Sequence, residues 1–509
     1  MDPAPGRGTA DFPARAPLIE AGPRRMIFHS LDYLLFLPIV AALFFLVPHR
    51  WRWVLLLAAS NLFYGSWRVE FLALLLFTTF VDFFVAQRLM EVRGKKLRRL
   101  LFGASMLCNL GPLIFFKYSA LLAGTTFYDV RVGNFTLADV ILPLGISFYT
   151  FQTLGYTIDV YRGKREAETH LGIFAVYVMY FPQLLAGPIE RPYKLLPQLR
   201  EEQVFDLRRA AMGGALILVG YFKKLVIADR LGLLVPPILA APEAHTSLTV
   251  TLATLGALYR YYADLSGYAD IAIGSSLIMG IALTQNFRRP YAAVSIAEFW
   301  QRWHITVTRW FTDYVYIPIA RHTKVWSRFV ATVVTTLLIS LWHGASTSWL
   351  VAGGIAGLLM IGEGWVRRQR GMLAGSSRAL ARAGVGERGS RLIGRNMNRA
   401  VLWFFLLFLG SIVNAPGWDQ TYAIWGKIAH LPGEALTLSA GLGALQVSKL
   451  FLFAIVALEF YQWLDARRPV FDRLESAGAV VAWPFWWGLA ATILMFGVFT
   501  GTGFLYFDF

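Results

Sequence analysis

Residues 298–344 decide the fold of this chain, because they open with FWQRWHIT (299–306) and close with LWHG (341–344). These motifs place His304 and His343 39 positions apart among aromatic and apolar residues. Residues 329–362 form a run of 34 residues without Asp, Glu, Lys or Arg, whereas a membrane-spanning helix needs about 20 apolar residues. We therefore predict that His343 lies inside a bilayer, where an ionisable side chain is costly and is a candidate for function.

The composition is that of a membrane protein that crosses the bilayer many times. Of the 509 residues, 56% are hydrophobic and 16% are charged, against about 25% charged in a soluble domain. A single cysteine, Cys108, excludes a disulfide framework and a cysteine-based metal site. The net charge of +17 fits basic loops that face anionic lipid, so no nucleic-acid partner is expected.

Apolar runs separated by Pro, Lys and Arg predict an all-α polytopic protein with about a dozen transmembrane or re-entrant helices. Residues 1–27, rich in Pro, Gly and Arg, predict a disordered tail before a single membrane domain at 28–509. The basic runs at 93–99 and 367–399 are predicted to face the cytoplasm, the second as a loop. Further apolar runs lie at residues 31–47, 53–67, 71–89, 100–122, 210–239, 259–280, 400–413, 445–463 and 483–504.

Two segments in the middle of the chain, residues 141–152 and 181–192, interrupt apolar sequence with Pro and Gly. Irregular backbone at membrane depth occurs where it is buried in protein or lines a wet cavity. The same pattern is typical of kinked helices that end at an interface, and periodicity favours neither interpretation. Both stay open: walls of an internal chamber, or kinked helices.

Taken as one helix, residues 298–316 carry an aromatic stripe at spacings of three and four. The remaining surface is polar, and Arg309 with Asp313 forms an i,i+4 pair. For His304, a core histidine bonded to a backbone carbonyl is the alternative to a functional one. The stripe consists of Trp300, Trp303, His304, Val307, Phe311 and Tyr314.

His343 lies in drier sequence and precedes Gly344, which lets another backbone or a ligand approach closely. A neutral imidazole keeps one ring nitrogen as an acceptor, as a general base that takes a proton from a hydroxyl requires. The same nitrogen could instead accept an acyl group as a covalent intermediate. The chain contains no HExxH motif and no P-loop, so proteolysis and phosphoryl transfer from a nucleotide have no support.

Asp264 and Asp270 lie six positions apart, on different faces of a predicted helix, which argues against a paired acid and base. We expect them to cap a helix or to pair with Arg288 and Arg289. Those arginines are alternatively placed to contact lipid headgroups, or to hold a phosphate-bearing donor at the cytoplasmic surface.

Together these motifs resemble the membrane-bound O-acyltransferase (MBOAT) family, and within it the bacterial alginate O-acetyltransferase branch. The resemblance rests first on residues 299–305, 313–318 and 342–345, and runs from about residue 28 to residue 509. Further similar motifs are GISFYTFQ at 145–152, AGPIER at 186–191, DLSGYADIAIG at 264–274, NF at 286–287 and FLYFDF at 504–509.

The resemblance implies a helical fold around a central tunnel, with His343 as the catalytic histidine and His304 as the second motif histidine. It implies O-acetylation of an exported or cell-envelope polysaccharide, with acetyl-coenzyme A or another cytoplasmic acyl thioester as donor and with no bound cofactor or metal. Expected partners are this donor or an acyl carrier, membrane lipids and an extracytoplasmic acetyltransferase, and the expected location is the bacterial inner membrane. Residues expected to contact substrate are Trp300, Trp303, Trp342, Arg302, Asp313 and Tyr314.

Two alternatives stay open. Within the family, the transferred group could be D-alanine or a longer acyl chain, carried to another envelope polymer. Outside the family, a proton-coupled transporter or flippase could use His304 and His343 as a proton relay. Composition does not separate an enzyme from a transporter, whereas cleavage of a thioester does.

Overall fold

The computed structural model describes residues 26–123, 131–132, 135–136, 143–321, 325–344, 346–373, 387–434, 452–453 and 455–499. Residues 1–25 of the predicted tail fall outside this part. The described chain is helical except for one small ribbon, in which β1 (Arg131–Val132) pairs antiparallel with β2 (Phe135–Thr136). The predicted helical fold class is therefore confirmed.

Four helices begin the fold, and each covers all or most of one of the predicted apolar runs. Ser30 caps the first helix by accepting from the Tyr33 N–H. Asp82 lies buried in the third, where its carboxylate accepts from Ser105 at 2.5 Å and from Asn109 at 2.9 Å, which offsets the cost of removing it from water. The helices are α1 (Leu31–Leu46), α2 (His49–Gly65), α3 (Val69–Glu91) and α4 (Lys95–Ala123).

The two Pro- and Gly-containing segments of the middle region lie side by side. Gly145 precedes α5 with a φ of 69°, and a Cβ there would lie 2.5 Å from the Leu184 carbonyl oxygen, so the turn requires glycine. Residues of both segments line one crevice that is too narrow to hold a water molecule. The chamber and the kinked-helix interpretations therefore both stay predictions, as does the central tunnel. The helices here are α5 (Ile146–Tyr161), α6 (Leu171–Met179), α7 (Phe181–Leu184) and α8 (Pro192–Arg200).

Two long helices then pack backbone against backbone. A Cβ on Gly213 would lie 2.6 Å from the Gly274 carbonyl oxygen, and one on Gly220 would lie 2.7 Å from that of Gly267. Small residues permit this close approach of helices within membranes. The elements are α9 (Leu207–Tyr221), a π-helical segment (Phe222–Ala228), α10 (Asp229–Ala240), a 3-10 turn (Pro242–Ala244) and α11 (Ser247–Ile278).

The π-helical segment directs two buried lysines at α11. Lys224 Nζ lies 2.6 Å from Asp264 and 2.9 Å from Asp229, and Lys223 Nζ lies 2.6 Å from Asp270. The prediction that these aspartates pair with Arg288 and Arg289 is therefore wrong. The sequence did not indicate that the helix containing the lysines packs directly on α11.

The uncharged run at 329–362 forms two helices that pack antiparallel. Gly353 lies against Ser340 and Gly357 lies against Thr336, so the chain runs in opposite directions in the two helices. His343 is the last residue of its helix, so it lies at a helix end instead of inside one continuous span. A 3-10 turn (Pro290–Ala292) comes first, followed by α12 (Ile296–Arg302), α13 (Ile305–Phe311), a second π-helical segment (Thr312–Tyr316), α14 (Ile317–Ala320), α15 (Val325–His343) and α16 (Thr347–Leu373).

The basic region predicted as a loop at 367–399 is partly helical. Helix α16 continues to Leu373 and the next helix begins at Glu387, while residues 374–386 lie outside the described part. Arginine is a good helix former, so a basic run can extend a neighbouring helix. The chain ends with α17 (Glu387–Asn414), α18 (Trp418–Glu434), α19 (455–465), α20 (Val470–Ala477) and α21 (Ala479–Phe496).

Five segments of the described chain are long and apolar enough to cross a membrane, and two shorter apolar helices (Leu31–Leu46, Asn398–Asn414) accompany them. This identifies a membrane protein. The number is below the dozen spans or half-spans predicted. The five segments are Val69–Glu91, Lys95–Tyr118, Leu207–Ala240, Thr347–Val366 and Ala479–Phe496.

Candidate functional site

The single helix predicted over residues 298–316 is wrong, because the chain breaks at Trp303 and His304. His304 has φ 43° and ψ 54°, in the left-handed region that non-glycine residues rarely adopt. Two backbone hydrogen bonds hold the break: the Ile305 N–H donates to the Asn286 carbonyl at 2.8 Å, and the Arg288 N–H donates to that of Arg302 at 2.9 Å. Pairing with a neighbouring loop thus replaces the helical bonds that the sequence pattern suggested.

The side chain of Asn286 fixes the residues that follow His304. Its Oδ1 atom accepts from the Thr306 N–H at 3.1 Å and from the Thr306 hydroxyl at 2.9 Å. The same hydroxyl oxygen accepts from the Ile189 N–H at 3.1 Å. Three motifs far apart in sequence, at 186–191, 286–287 and 299–306, therefore meet at the loop that carries His304.

Trp342 is the centre of the site and is only 1% exposed. Its ring centroid lies 5.4 Å from that of His304 and 4.7 Å from that of His343, and the two imidazoles are 6.5 Å apart. Phe148 of α5 closes one side at 5.6 Å, and Phe287 lies 5.5 Å from His304. The structure thus brings together the two histidines that the sequence places 39 positions apart.

The two histidines differ in accessibility. His304 is 3% exposed, and burial lowers its pKa to about 3, so it is neutral at physiological pH. His343 is only half-buried and stacks on Trp349 at 5.3 Å. A Cβ on Gly344 would lie 2.2 Å from Trp349, so glycine is needed for this stacking. His343 is therefore the histidine that a substrate can reach more easily.

The residues predicted to contact substrate fall into two groups. Trp303 is buried and, like His304, contacts Phe287. Trp300 is half-buried and contacts Phe299. Arg302 forms an ion pair with Glu298. Together with Trp342, these residues lie on or beside the loop that carries His304.

The second group lies further along α13 and its π-helical extension. Asp313 pairs with Arg191 at 2.7 Å, so the predicted pair with Arg309 is wrong; the π turn changes the helical phase on which the i,i+4 argument depends. The Tyr314 hydroxyl donates to Asp159 at 3.0 Å, and Arg191 lies 4.5 Å above the Tyr314 ring. Tyr314 is thus tied to α5, and Asp313 is tied to Arg191 at the start of α8.

Arg288 and Arg289, predicted to hold the phosphates of a donor, lie in the loop that pairs with the break before His304. Arg288 is exposed, and Arg289 is half-buried with a φ of 47°. A role in donor binding stays a prediction. Among the described residues, no group of three His, Cys, Asp or Glu side chains is placed to hold a metal ion.

Two residues of α4 contact the backbone next to the site, although the sequence did not single them out. The Lys117 ammonium donates to the Trp342 carbonyl, and the Tyr118 hydroxyl donates to the Leu341 carbonyl at 3.0 Å. They bind the end of the helix that carries His343. The sequence feature that could have indicated them is a lysine, Lys117, inside the apolar run at 100–122.

Replacing Asn286 with alanine is expected to destabilise the protein by about 1–3 kcal/mol, because it leaves buried Thr306 donors without their acceptor. Thermal unfolding of the purified protein in detergent would measure this change. Thr306→Ser, which keeps the hydroxyl, is the matched control and should unfold close to the wild type. Equal stability of Asn286→Ala and wild type would show that Asn286 does not hold the loop.

Known proteins are similar to this chain in sequence. Residues 169–378 match the MBOAT, membrane-bound O-acyltransferase family. A probable alginate O-acetylase of Pseudomonas syringae pv. tomato is 37% identical over 340 residues (65% of each chain), and one of Pseudomonas putida is 38% identical over 343 residues (65% of this chain, 70% of the relative). A peptidoglycan O-acetyltransferase of Helicobacter pylori is 31% identical over 342 residues (62% of this chain, 64% of the relative).

The match to this family covers both His304 and His343. The chain belongs to the membrane-bound O-acyltransferase family. The resemblance predicted from the sequence is confirmed. The matched region spans 65% of the length of the Pseudomonas syringae relative.

Proposed function

We propose that this protein is an O-acyltransferase that takes an acetyl group from a thioester donor for the O-acetylation of an exported or cell-envelope polysaccharide. The observation that carries the proposal is the pair of imidazoles 6.5 Å apart around Trp342. Relatives named as acetylases of alginate and of peptidoglycan support acetyl as the group and a polysaccharide as the acceptor.

His343 is the general base in this proposal. Its imidazole takes the proton of the acceptor hydroxyl while the hydroxyl oxygen attacks the acyl carbon. Collapse of the tetrahedral intermediate breaks the C–S bond, and the imidazolium returns the proton to the leaving thiolate. An acyl-histidine intermediate on the same nitrogen is the alternative course, and labelling of the protein distinguishes the two.

His304 has a positioning role in this proposal. It is neutral, fully enclosed and held by a loop that Asn286 fixes. Such a side chain can orient a donor or acceptor group, or the neighbouring Trp342, without exchanging a proton with bulk water.

The donor side is proposed to be cytoplasmic. Arg98, in the basic run at 93–99, donates to the Tyr161 carbonyl at the end of α5, beside exposed Arg162 and Lys164. Tyr314 and Asp313 lie near the same end of α5, one short helix away from His304. Arg98, Arg162 and Lys164 thus form a basic rim near the site. This rim supports entry of an anionic thioester such as acetyl-coenzyme A from the cytoplasm. The acetyl group then passes to an extracytoplasmic acetyltransferase partner, and the protein lies in the bacterial inner membrane.

Purified protein incubated with radiolabelled acetyl-coenzyme A and alginate oligosaccharide tests the proposal. Release of free thiol, with label on the oligosaccharide or on the protein, is the expected result, and it should disappear in His343→Ala. If the protein transfers only from D-alanyl or long-chain thioesters, the transferred group is D-alanyl or a longer acyl chain and not acetyl. Proton-coupled flux across proteoliposomes without thioester cleavage would show a transporter instead.

The proposed topology predicts that residues 93–99 and 367–399 share the cytoplasmic side. Cysteines introduced at Lys96 and at Arg399 of a Cys108→Ser protein should resist a membrane-impermeant thiol reagent in intact cells and react after permeabilisation. The Cys108→Ser background protein is the control for unrelated labelling. Reaction of either cysteine in intact cells would overturn the orientation.

A further inference from the structure

Lys117 is a buried lysine beside the histidine pair. It lies near the end of a candidate membrane span (Lys95–Tyr118) and is 9% exposed. Its Nζ donates to the carbonyl of Trp342, the residue directly before His343, and lies 5.9 Å from the centre of the Trp342 ring. The Trp342 ring is thus the common neighbour of Lys117, His304 and His343.

The contacts of Lys117 differ from those of the other buried lysines. Lys223 pairs with one aspartate and Lys224 with two. Lys117 has no ion pair with any carboxylate in the described part of the chain, and one carbonyl accepts one of its three N–H donors. A lysine buried in protein without a counter-charge is costly, and ionisable groups within membrane segments are candidates for function.

We propose that Lys117 is a further catalytic residue, whose ammonium binds the acyl carbonyl oxygen and stabilises the negative charge that forms there during transfer. The role rests on the proposed acyltransferase function. As the hydroxyl oxygen bonds to the acyl carbon, the π electrons of the C=O bond move to oxygen and the hydroxyl proton moves to His343. Lys117 keeps its protons throughout; when the C–S bond breaks, the carbonyl re-forms and the imidazolium protonates the thiolate.

Chemistry favours this role over capping of the helix end alone. A cation near the last carbonyls of α15 offsets the negative end of the helix dipole, and Tyr118 already provides a neutral donor to the adjacent carbonyl. Capping does not require a buried charge, whereas an oxyanion in a dry site is stabilised most by one. Loss of one oxyanion donor typically lowers kcat by about 10²- to 10³-fold.

Lys117→Met and Tyr118→Phe form the decisive pair, because each removes one hydrogen bond to the end of α15 and only the first removes a charge. Acetyl-coenzyme A cleavage by the purified proteins should give a kcat about 10²-fold or more lower for Lys117→Met, with KM for the donor little changed. Tyr118→Phe should stay within about threefold of the wild type. Lys117→Arg, which keeps the charge, should recover part of the lost kcat.

Equal losses of kcat in Lys117→Met and Tyr118→Phe, accompanied by equal losses of thermal stability, would overturn the proposal in favour of helix capping. A Lys117→Met protein that retains its kcat would also overturn the role of Lys117. The proposed acyltransferase function would stand in that case, provided that His343→Ala still loses thioester cleavage. No cleavage by wild-type protein would instead remove the proposed function and this role together. Should Lys117→Met fail to fold, Lys117→Gln, which keeps a neutral donor, replaces it with the same expected loss.

Discussion

Replacing His343 with alanine is expected to give a folded, membrane-inserted protein whose acyl transfer is about 10²- to 10⁴-fold slower, because the positioned base is lost. His343 is half-buried at the end of α15, so truncation removes no core packing on the scale of Trp342. His304→Ala should leave a measurable residue of activity, since this histidine orients groups and exchanges no proton. Single-turnover cleavage of acetyl-coenzyme A measures both.

The comparison requires equal expression and equal donor binding for the two variants. His304→Ala retains the left-handed backbone cost that the native residue already bears, so the loop geometry is preserved in the control. If His304→Ala is the less active of the two, the assigned roles are reversed even though the family membership stands.

Replacing Gly213 with alanine is expected to destabilise the protein by about 1–3 kcal/mol, because the new methyl group would meet backbone that cannot move aside. A Cβ there lies 2.6 Å from the Gly274 carbonyl oxygen, so α9 and α11 must separate. Gly274→Ala places its methyl 2.5 Å from the Gly213 carbonyl and should have a similar effect. Thermal unfolding in detergent, followed by tryptophan fluorescence, measures the change.

Gly214 offers the matched control on the same helix. No atom lies within 4 Å of a Cβ built at this position, and alanine forms helix more readily than glycine. Gly214→Ala should therefore unfold at or above the wild-type temperature. A Gly213→Ala protein as stable as Gly214→Ala would show that the two helices are not in backbone contact.

The helices could be predicted from the sequence where apolar runs are long and their ends carry Pro or charge. Helices α1 to α4 follow the predicted runs closely, because hydrophobic length and helix breakers act locally. The basic region at 367–399 shows the limit, since arginine ends an apolar run without ending a helix.

The site was harder to predict than the helices. His343 and His304 could be selected from their dry, aromatic surroundings, and the structure places them together. The break at His304 could not, because it depends on Asn286, 18 positions earlier, and on a loop pairing that periodicity does not report. Lys117 was missed for a related reason: its relation to Trp342 exists only after α4 packs against α15.

The left-handed conformation of His304 is itself informative. A non-glycine residue there costs roughly 1 kcal/mol or more, and it persists where the surrounding structure fixes it. Glycine would remove the cost, so the imidazole is retained at a thermodynamic disadvantage. Such an outlier beside His343 and Trp342 is a physical argument for function that does not depend on any relative.

The π-helical segment at Phe222–Ala228 has a consequence for the ion pair that it holds. Each residue of a regular α-helix turns the chain by about 100°, so residues five positions apart point in different directions. A π turn contains about one residue more than an α turn and brings residues five positions apart onto one face. Lys224 and Asp229 are five positions apart and lie 2.9 Å from each other, so a change that returned this segment to a regular α-helix would separate them.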